Sequence, residues 1–157
     1  MEKTPQAKRG GIHKLKHHLM KYFSIAEFLN SDAADKYQVS NMPADEELLA
    51  VLNNINALVN NVLDPLRAMI ARPIIITSGY RSQRVNELVG GSKTSQHMLG
   101  KAADIHIQGY TPQQMETVYR TIQMYYDFDQ LIFYPSKNII HVSWNGNKNR
   151  QESWVKA

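Results

Sequence analysis

The spacing of hydrophobic residues divides the chain into a helical first half and a strand-bearing second half. From Ala44 the sequence ADEELLAVLNNINALVNNVLDPLRAMIA places apolar residues at 48, 51, 52, 55, 58, 59, 62, 63, 66, 69 and 70. That three-and-four spacing predicts a long amphipathic helix, with acids in its first turn where the helix dipole favours them. Pro65 has no amide hydrogen, so the helix should kink or divide near Asp64. Ahead of it, Ser24 followed by Glu27 is a capping-box pattern, and one short helix is expected to turn Phe23, Phe28 and Leu29 inward. Asn41-Met42-Pro43 reads as a turn.

Beyond Arg72-Pro73 the period shortens. The isoleucine run at 74–77 reads as a buried strand. A short helix over 83–88 ends at Gly90-Gly91. After a polar loop, residues 102–107 alternate as a strand, and Thr111-Pro112 opens a helix to about Met124. Strands over 130–134 and 139–144 close the fold as a hairpin around Pro135-Ser136-Lys137-Asn138. The last dozen residues are polar and carry no structural signal. These elements make one α+β domain, its helical N-terminal half packed on a small, mostly antiparallel sheet.

Composition narrows what such a domain can do. The 157 residues suit a single domain, since domains cluster near ~100–150 residues. No apolar run approaches the ~18–20 residues of a transmembrane helix. The first 22 residues lack the apolar stretch of ~7–15 residues that a secretory signal needs. Cysteine is absent, which removes disulfides, thiolate nucleophiles and cysteine-held metal centres. Any metal would rest on His and carboxylate ligands.

The net charge of +4 is unevenly placed. Residues 1–21 hold six of the 18 basic and one of the 14 acidic residues, so they carry +5 and the remainder −1. This sets a basic flexible tail, 1–21, apart from a domain over 22–157. Within the tail, His13, His17 and His18 share a helical neighbourhood by i, i+4 spacing. Neighbouring lysines repel a cation, so no metal is expected there. A basic arm could touch nucleic acid, an acidic wall polymer or a membrane surface, or simply aid solubility. Charge alone supports a nucleic-acid partner, and none is expected.

The residues best suited to chemistry lie in the second half. His97 sits in a loop, Asp104 follows seven residues later on a strand, and His141 lies in the last predicted strand. A catalytic zinc site takes three such ligands and leaves a position for water. Gly100 permits the tight turn between the first two, and Ala102 and Ala103 leave room beside an ion. On spacing alone, a metal site and a set of satisfied structural polar groups both remain open. His106 shares the strand face of Asp104; it could be a competing ligand, a partner to a ligand or a rim residue, and the rim is favoured.

A resemblance separates these readings. Ser95-Gln96-His97-Met98-Leu99-Gly100-Lys101-Ala102-Ala103-Asp104 matches every fixed position of S-x-H-x-x-G-x-A-x-D. That is the signature of the zinc D-Ala-D-Ala carboxypeptidase family, which includes vancomycin-resistance dipeptidases and phage L-Ala-D-Glu endolysins. Upstream, Thr77-Ser78-Gly79-Tyr80-Arg81-Ser82, then Asn86 and Gly90-Gly91, resembles the family's S-G-Y-R-S block. Downstream, Phe128-Asp129-Gln130-Leu131-Ile132 and Ile140-His141-Val142-Ser143 resemble its closing hairpin. Phe23-Ser24-Ile25-Ala26-Glu27-Phe28 is similar to the opening of single-domain, phage-like members. The resemblance spans roughly residues 22–145.

It implies a hedgehog/D-Ala-D-Ala peptidase-like fold and a Zn2+ ion on His97, Asp104 and His141. It places Arg81 beside the substrate and the developing oxyanion, and Ser95 at the substrate-binding loop. One part departs from the pattern. Relatives commonly carry an acid a few residues before the last histidine as general base; here Asn138 stands three residues before His141, and residues 134–137 contain no acid. Asp129 is the candidate base in its stead, with Asp127 the other acid nearby. The implied activity is hydrolysis of peptidoglycan stem peptides by zinc-activated water, as a carboxypeptidase or endopeptidase. The alternative is a weak or inactive module that binds wall peptides or a protein on the same fold. A monomer is expected, made in the cytoplasm and acting on the bacterial cell wall after release.

Overall fold

The computed structural model describes residues 20–157. The expected tail, with His13, His17 and His18, falls outside the described residues except for its last two positions. Helix α1 (Ile25–Leu29) begins where the Glu27 carboxylate accepts the Ser24 backbone N–H at 2.6 Å. The helix expected here is in fact two. Asn30 turns extended and ends α1, and the Ser31 hydroxyl caps α2 (Asp32–Tyr37) by accepting the Ala34 N–H at 3.1 Å. A serine cap overrides an otherwise continuous pattern because it satisfies an N–H the helix cannot.

Helix α3 (Asp45–Leu58) runs into a π-helical stretch, Val59–Leu63, and then α4 (Asp64–Ile70). The Asp64 N–H reaches back five residues to the Val59 carbonyl. This widened turn sits immediately before Pro65, whose ring excludes the ordinary four-residue bond, so the division expected at Asp64 takes this form. The Asp64 carboxylate also accepts the backbone N–H groups of Lys21 and Tyr22, at 2.8 and 3.1 Å. These two bonds anchor the start of the described domain to the long helix. No helix among the described residues is long and apolar enough to cross a membrane.

Five strands form one sheet: β1 (Ile74–Ser78), β2 (Ala102–Ile107), β3 (Gln130–Tyr134), β4 (Ile139–Ser143) and β5 (Glu152–Val155). Their order is β1-β2-β4-β3-β5, antiparallel except for the β3–β5 pair. Between β1 and β2 lies α5 (Gln83–Leu88), and α6 (Pro112–Tyr125) joins β2 to β3. Two expectations need correction. The isoleucine run is an edge strand, with Ile75 43% exposed, because only β2 pairs with it. The polar C-terminus contributes β5, which pairs with β3, so the 130–144 hairpin does not close the sheet.

Alternation along the strands gives the sheet two unlike faces. Ile74, Ala103, Ile105, Ile107, Leu131, Phe133, Ile140 and Val142 are buried in one core with Ile55, Leu58, Leu63 and Leu66 of the long helix and Met115, Tyr119 and Ile122 of α6. Asp104, His106, Tyr134, Ile139 and His141 take the other positions and are only half-buried. Helices therefore cover one face, and the polar residues of the second half collect on the other.

Candidate metal centre and cleft

His97 is delivered by a single 3-10 turn, Gln96–Leu99, whose cap is the Ser95 hydroxyl accepting the His97 N–H at 3.3 Å. Gly100 ends that turn in the left-handed region at φ +73°, where a Cβ would also lie 2.8 Å from the Val51 carbonyl oxygen. Only glycine satisfies both demands, so the chain passes from the His97 turn into β2 against α3. Asp104 is the third residue of β2 and pairs directly with His141 of β4. A register shift in β1 after Ile76 brings Ser78 opposite Asp104.

The three side chains converge. Asp104 Oδ1 lies 3.3 Å from His97 Nε2 and 2.9 Å from His141 Nδ1. The two imidazoles meet edge to face at 5.1 Å between centroids. His97 Nδ1 lies 2.7 Å from the Gly79 carbonyl oxygen, which fixes that nitrogen as the donor and leaves Nε2 free of its proton toward Asp104. Burial pushes the His97 imidazole below its ordinary pKa, which keeps it in the neutral form a metal requires. Burial pushes Asp104 up, but its close contacts with the His141 and His97 rings outweigh it and hold the carboxyl well below the usual carboxylate range.

These residues fit zinc. One ligand atom from each lies within 4.8 Å of the other two. Bonds of ~2.0–2.2 Å in a tetrahedron put neighbouring ligand atoms roughly 3.3 Å apart. The contacts of 3.3 and 2.9 Å to Asp104 are close to that separation. Three neutral or anionic donors from loop and strand leave one tetrahedral position open, the arrangement of a catalytic rather than a structural site.

Arg81 is tied to the same cluster. Its Nη2 donates to Asp104 Oδ2 at 3.2 Å, Nε to the Ser78 hydroxyl at 3.0 Å and Nη1 to Asn86 Oδ1 at 3.4 Å. The Arg81 backbone N–H donates to the His97 carbonyl at 3.0 Å, so arginine and histidine segments are bonded side by side. Asn86 is fixed in turn by donating to the Ser92 carbonyl at 2.9 Å. Buried Asn41 binds this arm to the helical half: it donates to the Leu29 and Tyr80 carbonyls and accepts from the Ser82 N–H. The turn pattern around Asn41 gave no sign of that role.

Around the cluster opens a cleft of about 640 Å³, lined by Arg81, Ser95, Gln96, His97, Asp104, Tyr134, Lys137, His141 and Lys156 among others. A family model for peptidase M15 matches residues 21–143. The chain belongs to the peptidase M15 family. Its fold agrees with that of the family, and the family is zinc-dependent. Among curated proteins none matches the chain. As an M15 peptidase the protein is read as a hydrolase with a His97–Asp104–His141 group able to hold its metal.

Two expectations about this M15 site change. Asp129 does not line the cleft. It is fully buried, with Oδ1 accepting from the Arg150 N–H and Nε, and Oδ2 from Arg150 Nη2 and Gln96 Nε2. The Arg150 hydrogen bonds hold its carboxyl below the ordinary value. A carboxylate with both oxygens so committed braces the loop before His97 and is not placed to take a proton from water. Chain distance suggested Asp129 as base; Arg150, 21 residues on, was not visible as its partner.

Asn138 is the other. It adopts φ +53°, its Nδ2 donates to the Tyr110 carbonyl at 2.8 Å, and its own carbonyl lies 3.0 Å from His106 Nδ1. That contact accounts for His106, which points to the hairpin turn and does not line the cleft. Asn138 also lies outside the lining, and its side chain is turned to the Tyr110 carbonyl and not to the metal group. Asn138→Asp is therefore expected to raise no activity and to cost about 1–3 kcal/mol, because a carboxylate replaces the donor to Tyr110. Thermal unfolding and peptide hydrolysis of the two proteins, measured in parallel, check it; a gain in hydrolysis would show that position 138 does reach the site.

Proposed function

We propose that this protein is a zinc metallopeptidase that hydrolyses an amide bond in the peptide portion of bacterial peptidoglycan. The observation that carries the reading is the convergence of His97, Asp104 and His141 on one point of an open cleft, with Arg81 bonded to the same carboxylate. A bound zinc ion supplies Lewis acidity, polarising an amide carbonyl and lowering the pKa of a water toward ~7. The chain's own residues do the rest. Gly79 holds His97 in the tautomer that presents Nε2, and Asp104 offsets the ion's charge. Arg81 directs its remaining N–H groups at the cleft, where they stabilise negative charge developing on the carbonyl oxygen. Ser95 caps the His97 turn at the wall where substrate lies.

A second reading rests on one observation: among the described residues, Asp104 is the only carboxylate lining the cleft. Without a general base, hydrolysis loses ~10²–10⁴-fold, and a protein of this kind could serve mainly to bind wall peptides. The test is release of new amino groups from purified peptidoglycan by the zinc-loaded protein, with and without a chelator. Release that a chelator stops and added zinc restores supports the peptidase. Binding to peptidoglycan with no release, at any zinc concentration, supports the binding module.

A further inference from the structure

The strand order sets two side chains on opposite flanks of the metal group. Ser78, Asp104, His141 and Ile132 face one another in a row across β1, β2, β4 and β3. Arg81 enters from the β1 side, where its Nε donates to the Ser78 hydroxyl. Tyr134 enters from the β3 side. It lies two residues beyond Ile132, so it shares the sheet face of His141 and is its diagonal neighbour. Such neighbours are ~7–8 Å apart, within reach of an aromatic side chain.

Among the hydroxyls lining the cleft, that of Tyr134 stands apart. Ser92 and Thr94 bond each other at 3.2 Å, and Ser95 accepts the His97 N–H. The Tyr134 hydroxyl has no hydrogen-bond partner among the described residues. Its ring is nevertheless held. Tyr134 pairs with Ile139 at the end of β3, Pro135 fixes the chain immediately after it, and the Lys137 ammonium lies 5.4 Å from the ring centroid. Burial raises the phenol above its ordinary pKa, Asp104 adds to this and Arg81 opposes it, so the group keeps its proton and can donate. A positioned donor thus stands beside the metal group with nothing of the protein's own to satisfy it.

Amide hydrolysis passes through a tetrahedral carbon that carries two oxygens sharing negative charge. The planar substrate offers only one of them, and Arg81 is directed at that one. The second arrives with the attacking water. We propose that Tyr134 is a catalytic residue whose hydroxyl donates a hydrogen bond to this second oxygen, from the flank opposite Arg81. The inference rests on the peptidase reading and gives its site a donor that no carboxylate supplies. Because the contact is completed only as the carbon becomes tetrahedral, it acts on kcat and leaves substrate binding nearly unchanged.

The experiment compares zinc-loaded wild type with Tyr134→Phe, which removes one oxygen and keeps the ring beneath Lys137. The probes are a stem pentapeptide and two phosphinate versions of it, with the L-Ala–D-Glu or the D-Ala–D-Ala amide replaced. A phosphinate presents two oxygens on a tetrahedral phosphorus, so it stands in for the tetrahedral carbon. Released amino groups give kcat and KM, calorimetry gives the phosphinate Kd, and elemental mass spectrometry gives zinc content. Zinc content, melting temperature and KM are expected to match wild type. In the variant kcat should fall about 10²-fold, and the phosphinate at the cleaved position should bind weaker by a similar factor. Unchanged kcat and phosphinate Kd in the variant overturn the donor role. A higher KM with kcat preserved also overturns it, by making the contact one of the ground state. Loss of zinc from the variant overturns it as well, by making Tyr134 part of the metal's hold. If wild type neither cleaves the peptide nor prefers either phosphinate, the peptidase reading itself fails, and the donor role with it.

Discussion

His141→Ala is expected to leave the protein folded, remove its zinc and lower peptide hydrolysis by about 10³-fold or more, since lost Lewis-acid stabilisation of several kcal/mol converts at 1.36 kcal/mol per tenfold. Three ligands hold the ion, and loss of one leaves a two-point site with Asp104 drawn to His97 and Arg81. The side chain sits on the uncovered sheet face, 12% exposed, while its strand neighbours Ile140 and Val142 carry the core. Removing it opens no cavity in that core, so the fold should persist. Elemental mass spectrometry should find about one zinc per chain in wild type and none in the variant. Thermal unfolding gives a second readout. A ligand that binds only the native state stabilises it by about 2.7 kcal/mol at 100 times its Kd, so added zinc should raise the melting temperature of wild type and not that of His141→Ala. Stoichiometric zinc in the variant would place the ion elsewhere.

Wherever the chain's local signals were strong, structure followed them. The alternation over 102–107, the Ser82-capped helix over 83–88 and the Thr111-Pro112 helix start lie where the pattern put them. Each is specified by residues within its own span. Strand β5 was illegible for the opposite reason. Glu152-Ser153-Trp154-Val155 has no convincing period and becomes a strand only because β3 offers it an open edge. The exposure of Ile75 was equally hidden: three successive isoleucines look the same in a central strand and at a sheet edge, and only the strand order distinguishes them.

The site divides along similar lines. His97, Asp104 and His141 were legible because a dense signature surrounds the first two and the third ends a recognisable hairpin. Their convergence still depends on pairings remote in sequence, β2 with β4 and Gly79 with His97. Asp129 misled because a nearby acid in the chain is not a nearby acid in space. Its charge is consumed by Arg150, and β5 is what carries Arg150 back across the sheet. That Tyr134, Lys137 and Lys156 line the cleft gave no sequence signal at all, since a tyrosine ending a strand and two exposed lysines are ordinary until the strand order sets them there.

Arg81→Lys is the second substitution expected to act strongly, and it should act differently from loss of a metal ligand. The variant keeps a positive charge, so a purely Coulombic role would survive it. A guanidinium has five N–H donors in a fixed plane. Here one each from Nε, Nη1 and Nη2 goes to Ser78, Asn86 and Asp104. Those three anchors set the plane, and the two remaining N–H groups are left for the cleft. An ammonium has one nitrogen and cannot hold three anchors while presenting two further donors in a chosen direction. Zinc content should therefore stay near wild type while kcat falls by about 10²–10³-fold, the usual cost of removing a positioned donor to a developing oxyanion. KM should change far less, because the interaction is made chiefly in the transition state. Asn86→Ala, which removes one anchor and leaves the guanidinium, should give the same pattern at smaller amplitude. A loss in KM with kcat preserved would place Arg81 on a ground-state carboxylate and would leave the oxyanion to the metal alone.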